Sequence, residues 1–143
     1  MTRLPPRPRV LLADDHTRLR EALRDLLEET GFEVVGESGD GADAVAMAGQ
    51  LEPDIVVIDL RMPVLNGLDA TRLIRDARPA TQVVVLSAFE SAELERQARE
   101  AGAFAYLDKG TMARRVHRVL LSAAVQAVLA TNLGAPDSDP GTG

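Results

Sequence analysis

"DIVVIDLRMPVLNGLD", residues 54–69, contains the run whose reading decides the fold. Residues 55–58 are apolar and β-branched at every position, so a strand here buries both of its faces. Such a strand belongs inside a parallel sheet covered by helices, because an antiparallel sheet with one wet face would alternate apolar and polar residues. Pro63 stops the ladder soon after Asp59. Residues 67–77 then change period, with Leu68, Ala70, Thr71 and Ile74 as the inner side of a helix.

The same alternation extends in both directions. Strands are predicted at 9–14, 32–37, 54–59, 81–87 and 103–108. Helices are predicted at 16–30, 41–50, 67–77, 91–102 and 111–132. Leu19, Leu23, Leu26 and Leu27 mark the inner side of the first, and Gly31 suits its C-terminal stop. Ala42, Val45, Ala46 and Gly49 are taken as one side of the second. Five strand-then-helix repeats predict an α/β domain with a doubly wound parallel sheet. The flavodoxin-like strand order 2-1-3-4-5 is favoured, with its ligand crevice at the carboxyl ends of strands 1 and 3. Residues 1–8 read as a flexible Pro/Arg arm, 9–132 as the domain, and 133–143 as a disordered tail or linker.

Composition narrows the function classes. The chain has 143 residues, enough for one domain with its own core. It has no cysteine, so disulfide, thiolate and Cys-metal chemistry are excluded; a reducing, cytoplasmic setting is expected. No apolar stretch is long enough to span a membrane, and residues 1–10 lack a signal-peptide core. A net charge of −6 and 3% aromatic residues argue against nucleic-acid binding by this chain alone.

Reading off the strand ends collects a chemistry. Strand 1 ends in Asp14 and Asp15, strand 3 in Asp59, strand 4 in Ser87 followed by Ala88, and strand 5 in Asp108 and Lys109. Lys109 is the only lysine, against fifteen arginines. Three carboxylates in one crevice repel unless a cation sits among them, and a hard divalent ion such as Mg²⁺ answers that problem. Ser87 and Lys109 suit an anionic group on the other side. A lysine there is a mobile point charge able to follow a phosphoryl oxygen. Each piece has a plainer reading as well. Paired acids after a strand also suit a helix N-terminus, and Tyr106 taken by itself reads as a half-buried strand aromatic with a wet hydroxyl.

Taken together, "LLADDH" (11–16), "DIVVIDLRMPVLNGLD" (54–69), "VVVLSAF" (83–89) and "AGAFAYLDKG" (101–110) resemble a response-regulator receiver domain of two-component signalling. "ADDH" and "DLRMP" are similar to the branch whose full-length members carry a LuxR-type DNA-binding domain. The resemblance implies that Asp59 accepts a phosphoryl group from a histidine kinase. It implies Mg²⁺ held by Asp15, Asp59 and the Arg61 carbonyl, with Asp14 acting through a metal-bound water. Ser87, the Ala88 N–H and Lys109 would contact phosphoryl oxygens. Ser87 and Tyr106 would switch the surface of helix 4, strand 5 and helix 5, while Arg61 and Phe89 flank the mouth. It implies self-phosphorylation and slow self-dephosphorylation, not enzyme turnover on another substrate.

Two positions depart from the family pattern. Gly110 follows the lysine where many members have proline, and Asp108 is a competitor for Lys109. His16 receives no role, because no second ligand residue is evident near it. Arg114, Arg115, His117 and Arg118 read as a solvated face or a partner surface. Val125, Val128, Leu129 and Leu133 extend an apolar stripe toward a homodimer contact or an interdomain linker. The output is a C-terminal or a separate effector; the chain is read as a stand-alone receiver or the regulatory half of a DNA-binding regulator. An atypical receiver regulated by protein contact without phosphate is one alternative. A flavodoxin-like FMN carrier is another, although "ADDH" would repel its phosphate. A haloacid-dehalogenase-like phosphohydrolase would need a second acid where Arg61 stands.

Overall fold

The computed structural model describes residues 6–134. Five strands alternate with five helices: β1 (Arg9–Ala13), α1 (Thr17–Glu29), β2 (Glu33–Ser38), α2 (Gly41–Leu51), β3 (Ile55–Asp59), α3 (Gly67–Ala77), β4 (Gln82–Ser87), α4 (Ala92–Glu100), β5 (Ala105–Asp108) and α5 (Met112–Gly134). All strand pairs are parallel, in the order β2-β1-β3-β4-β5. The sheet topology is the one expected from the apolar runs. The last helix reaches two residues into the expected tail. Most of the expected arm and the rest of the tail lie outside the described residues.

The two faces of the sheet divide the core. Leu11, Val56, Ile58, Val83, Val85 and Tyr106 pack with Ala44 and Ala48 of α2, Ala70 and Ile74 of α3, and Ala98 of α4. Val10, Leu12, Ile55, Val57, Val84, Leu86 and Leu107 pack with Leu23 and Leu27 of α1 and with Val116, Leu120 and Ala123 of α5. β3 and β4 are buried along their whole length, the property that betrays them as interior strands. One expectation fails in α2. Its inner side is Gly41, Ala44 and Ala48, while Ala42, Ala46 and Gly49 face solvent. Alanine and glycine on every side of a helix give hydrophobic periodicity little to read.

Helix starts place the loops around the carboxyl ends of the strands. Asn66 caps α3 by accepting from the Asp69 N–H at 2.9 Å, and Ser91 caps α4 through the Leu94 N–H at 3.1 Å. Gly31 (φ +102°) and Gly102 (φ +105°) turn the chain after α1 and α4, in a region costly for other residues. Between β3 and α3, the Leu65 N–H reaches the Pro63 carbonyl at 2.8 Å and Val64 has φ 70°. This γ-turn with positive φ is strained for a β-branched residue, and it bends the chain between β3 and α3.

Candidate functional site

Backbone hydrogen bonds fix the strand ends in one line. The Asp14 N–H donates to the Ser38 carbonyl at 3.0 Å, Leu60 to Leu86 at 2.7 Å, and Lys109 to Ser87 at 2.7 Å. Asp14, Asp59 and Ser87 are all buried polar residues. Lys109 Nζ lies 3.0 Å from Asp14 Oδ2 and 3.3 Å from Asp59 Oδ2. The lone lysine therefore sits between two buried carboxylates. Asp15 is more exposed and lies on the outer side of the same cluster.

The charges do not balance. Burial first, and the negative charge of Asp14 second, raise the Asp59 carboxyl above the usual aspartate range; Lys109 opposes this only in part. Asp14 Oδ2 is buried and, although close to Lys109 Nζ, has no partner in hydrogen-bonding geometry. One ligand atom from each of Asp14, Asp15, His16 and Asp59 falls within 4.8 Å of the others. A carboxylate oxygen left without a donor among clustered acids is what a hard cation would satisfy, so the residues present fit a divalent ion.

A stability prediction follows for the metal-free chain. A carboxyl with a raised folded pKa binds its proton more tightly when folded. Its ionisation costs stability as pH rises from the ordinary value of 3.8 through the raised one, and the cost is complete above that. Asp59→Asn removes the cost. Thermal melts without metal are expected to show the variant about 3–8 °C more stable at neutral pH, the gap closing below the ordinary aspartate pKa. Equal stability at neutral pH would contradict the assignment.

The neighbours complete the mouth. Ser87 Oγ accepts from the Phe89 N–H at 3.1 Å. Tyr106 is buried, not half-buried, and its hydroxyl donates to the Phe89 carbonyl instead of to water. The Arg61 guanidinium lies 5.5 Å from the centre of the exposed Phe89 ring. Ala88 is exposed beside them. A shallow depression of about 600 Å³ opens beside Asp15, lined by Leu60, Arg61, Met62, Asn66 and Leu94 among others.

Both departures at the end of β5 have physical explanations. Asp108 does not compete for Lys109. Its carboxylate accepts from the Thr111 N–H at 3.0 Å and the Thr111 hydroxyl at 2.8 Å, which anchors the turn into α5 and holds its pKa down. No peptide bond among the described residues is cis, so the turn at Gly110 is made without one. Two participants escaped the sequence reading. Arg20 donates to the Asp14 backbone carbonyl and pairs with Glu37 at 2.9 Å, bracing the end of β1. His16 lies against the carboxylates, with Nδ1 3.1 Å from Asp14 and 3.4 Å from Asp15. Helical spacing could have found Arg20, one turn into α1. His16 depends on the bend before α1, which spacing alone does not reveal.

Comparison with known families bears directly on this arrangement. The family model described as the response regulator receiver domain matches residues 10–121, most of the chain and every strand of the sheet. This chain belongs to the response regulator receiver family. The receiver is similar to the transcriptional regulatory protein PdtaR of Mycobacterium tuberculosis, at 46% identity over 101 residues, covering 71% of this chain and 49% of PdtaR. It is 37% identical over 112 residues to the chemotaxis protein CheY of Thermotoga maritima, covering 78% of this chain and 93% of CheY. The solved signal receiver domain of the response regulator NarL from Mycobacterium tuberculosis superposes with a TM-score of 0.79 at 30% identity, covering 84% of this chain and 98% of that one. The receiver spans about half the length of PdtaR. No helix among the described residues is long and apolar enough to cross a membrane.

Proposed function

We propose that this receiver takes a phosphoryl group onto Asp59 from the phosphohistidine of a sensor histidine kinase. The observation that carries the reading is the buried Asp59 carboxylate with Lys109 Nζ at 3.3 Å and Asp14 beside it. An Asp59 oxygen attacks phosphorus as the P–N bond breaks, and the donor imidazole leaves with its electron pair. Catalysis of this kind is positioning and charge neutralisation. Asp15, Asp59 and the Arg61 carbonyl would hold Mg²⁺, with Asp14 acting through water, and a bound ion would supply charge neutralisation for the phosphoryl oxygens. Lys109 neutralises another oxygen, and Ser87 and the Ala88 N–H donate to the rest. The acyl phosphate is slowly hydrolysed in the same site, without turnover of any other substrate.

Residue 89 offers the coupling to the surface. Its N–H is bound to Ser87 Oγ and its carbonyl to the Tyr106 hydroxyl. A Ser87 hydroxyl drawn to a phosphoryl oxygen releases the Phe89 N–H, and the other side of that residue holds Tyr106. The face built by α4, β5 and α5 then shifts between two populated packings, presented to a C-terminal or separate effector.

The test is incubation with Mg²⁺ and a small phosphodonor, read by intact mass. A gain of one phosphoryl group that chelation of the metal abolishes is expected. No gain with any donor would overturn the reading. The Phe89 ring, stacked under Arg61, shields the acyl phosphate from water. Phe89→Ala is expected to speed dephosphorylation by about threefold or more, measured by loss of the added mass over time. An unchanged rate would remove Phe89 from that role.

A further inference from the structure

His16 occupies the N-cap position of α1, yet its side chain caps no backbone N–H of the helix. The backbone is folded back, with the His16 N–H donating to Asp14 Oδ1 at 2.8 Å. That bend carries the imidazole to the carboxylates. Nδ1 lies 3.1 Å from one oxygen of Asp14 and 3.4 Å from one oxygen of Asp15. Adjacent ligand atoms on an octahedral ion with bonds near 2.1 Å stand about 3.0 Å apart. The two His16 separations are near that edge length, and the ligand atoms of the whole cluster lie within 4.8 Å of one another. A second observation points to a cation. Asp14 is 4% exposed, and its Oδ2, although 3.0 Å from Lys109 Nζ, has no partner in hydrogen-bonding geometry.

Imidazole changes what such a site selects. Carboxylates alone suit hard ions such as Mg²⁺, whereas a ring nitrogen favours borderline ions such as Zn²⁺. We propose that His16 turns the Asp14, Asp15 and Asp59 cluster into a mixed nitrogen–oxygen site that takes Zn²⁺ in competition with Mg²⁺. The inference rests on the reading that these carboxylates hold a divalent cation, and it adds the residue that sets the selectivity. A fourth protein ligand also leaves one fewer coordination position for a phosphoryl oxygen, so the bound Zn²⁺ opposes phosphorylation.

The chain is well suited to the test. It has no cysteine and two histidines, so few other side chains favour Zn²⁺. The second histidine, His117, packs edge-on to Phe32 with ring centres 5.9 Å apart, on α5. The full chain is titrated calorimetrically with Zn²⁺ and, separately, with Mg²⁺, as wild type, His16→Ala, His117→Ala and Asp15→Asn. His16 is largely exposed, so its variant is expected to fold. Zn²⁺ is expected to bind wild type more tightly than Mg²⁺, and His16→Ala to weaken Zn²⁺ by about tenfold or more while leaving Mg²⁺ within about twofold. His117→Ala is expected to change neither. Zn²⁺ affinity equal in wild type and His16→Ala overturns the inference, as does a loss found in His117→Ala instead. If Asp15→Asn still weakens Mg²⁺ binding in that case, the carboxylate site itself stands. Mg²⁺ binding that ignores Asp15 overturns both.

Discussion

Lys109→Met is expected to lower the stability of the metal-free receiver by about 2–4 kcal/mol, close to the loss seen when one partner of a buried ion pair is removed. Methionine keeps the length and much of the volume of the side chain, so the loss reports charge and not a cavity. The cause is specific to the crevice. Among the described residues, Lys109 is the one lysine or arginine within 4.0 Å of the Asp14 or Asp59 carboxylate oxygens, and both carboxylates are buried. Without it two buried acids face each other uncompensated, and burial already holds Asp59 above its usual range. Mg²⁺ is expected to restore part of the loss, because a cation among the acids does the same electrostatic job. Denaturant unfolding with and without Mg²⁺ measures both effects; a loss under 1 kcal/mol without metal would contradict the pairing. Lys109→Arg keeps the charge and most of the stability. Its planar fork cannot follow a phosphoryl oxygen as the ammonium does. It is therefore expected to keep phosphorylation better than the response at Tyr106, the only tyrosine and so a direct fluorescence reporter.

Gly67→Ala is expected to cost about 3 kcal/mol or more, at the upper end of overpacking. A Cβ built on Gly67 would meet the Asp59 carbonyl oxygen at 2.4 Å and Leu60 Cα at 2.9 Å. Both contacts are backbone, so no side chain can swing aside. The Gly67 N–H also donates to the Leu60 carbonyl at 2.8 Å, which ties α3 to the end of β3. An added methyl pushes the helix off the strand that presents Asp59, so phosphorylation is expected to fall with stability. Gly49→Ala is the control from the same chain. Gly49 lies in α2 with nothing within 4 Å of an added Cβ, and there alanine is expected to stabilise by about 0.5–1 kcal/mol. Opposite signs in denaturant unfolding are the expected result. A neutral Gly67→Ala would contradict the close approach.

The sheet was legible because interior parallel strands leave an unbroken apolar signature, as in residues 55–58 and 83–86. Once the strands are in order, their carboxyl ends must meet. Asp14, Asp59 and Lys109 could therefore be grouped from sequence although 95 positions separate the first from the last. Features set by backbone direction were not legible in this way. The imidazole of His16 reaches the acids through a bend that its spacing does not announce. Asp108 turned out to anchor α5 because its carboxylate folds forward onto Thr111, whereas its place next to Lys109 in the sequence had offered it as a competitor for that lysine. The inner side of α2 was misread because its small residues repeat on every face. Tyr106 shows the same limit. Its strand position is plain, but burial of the ring and its bond to the Phe89 carbonyl depend on how the loop after β4 returns.

The central claim is that Asp59 carries the phosphoryl group. The receiver is phosphorylated by a small phosphodonor with Mg²⁺, reduced at once with borohydride, and digested for peptide mapping. Borohydride converts an aspartyl phosphate to homoserine and leaves free carboxylates untouched. Homoserine at position 59, absent without Mg²⁺ and from the Asp59→Asn chain, is the expected result. Homoserine at Asp14 or Asp15, or no homoserine from a chain that has gained the phosphoryl mass, would contradict it.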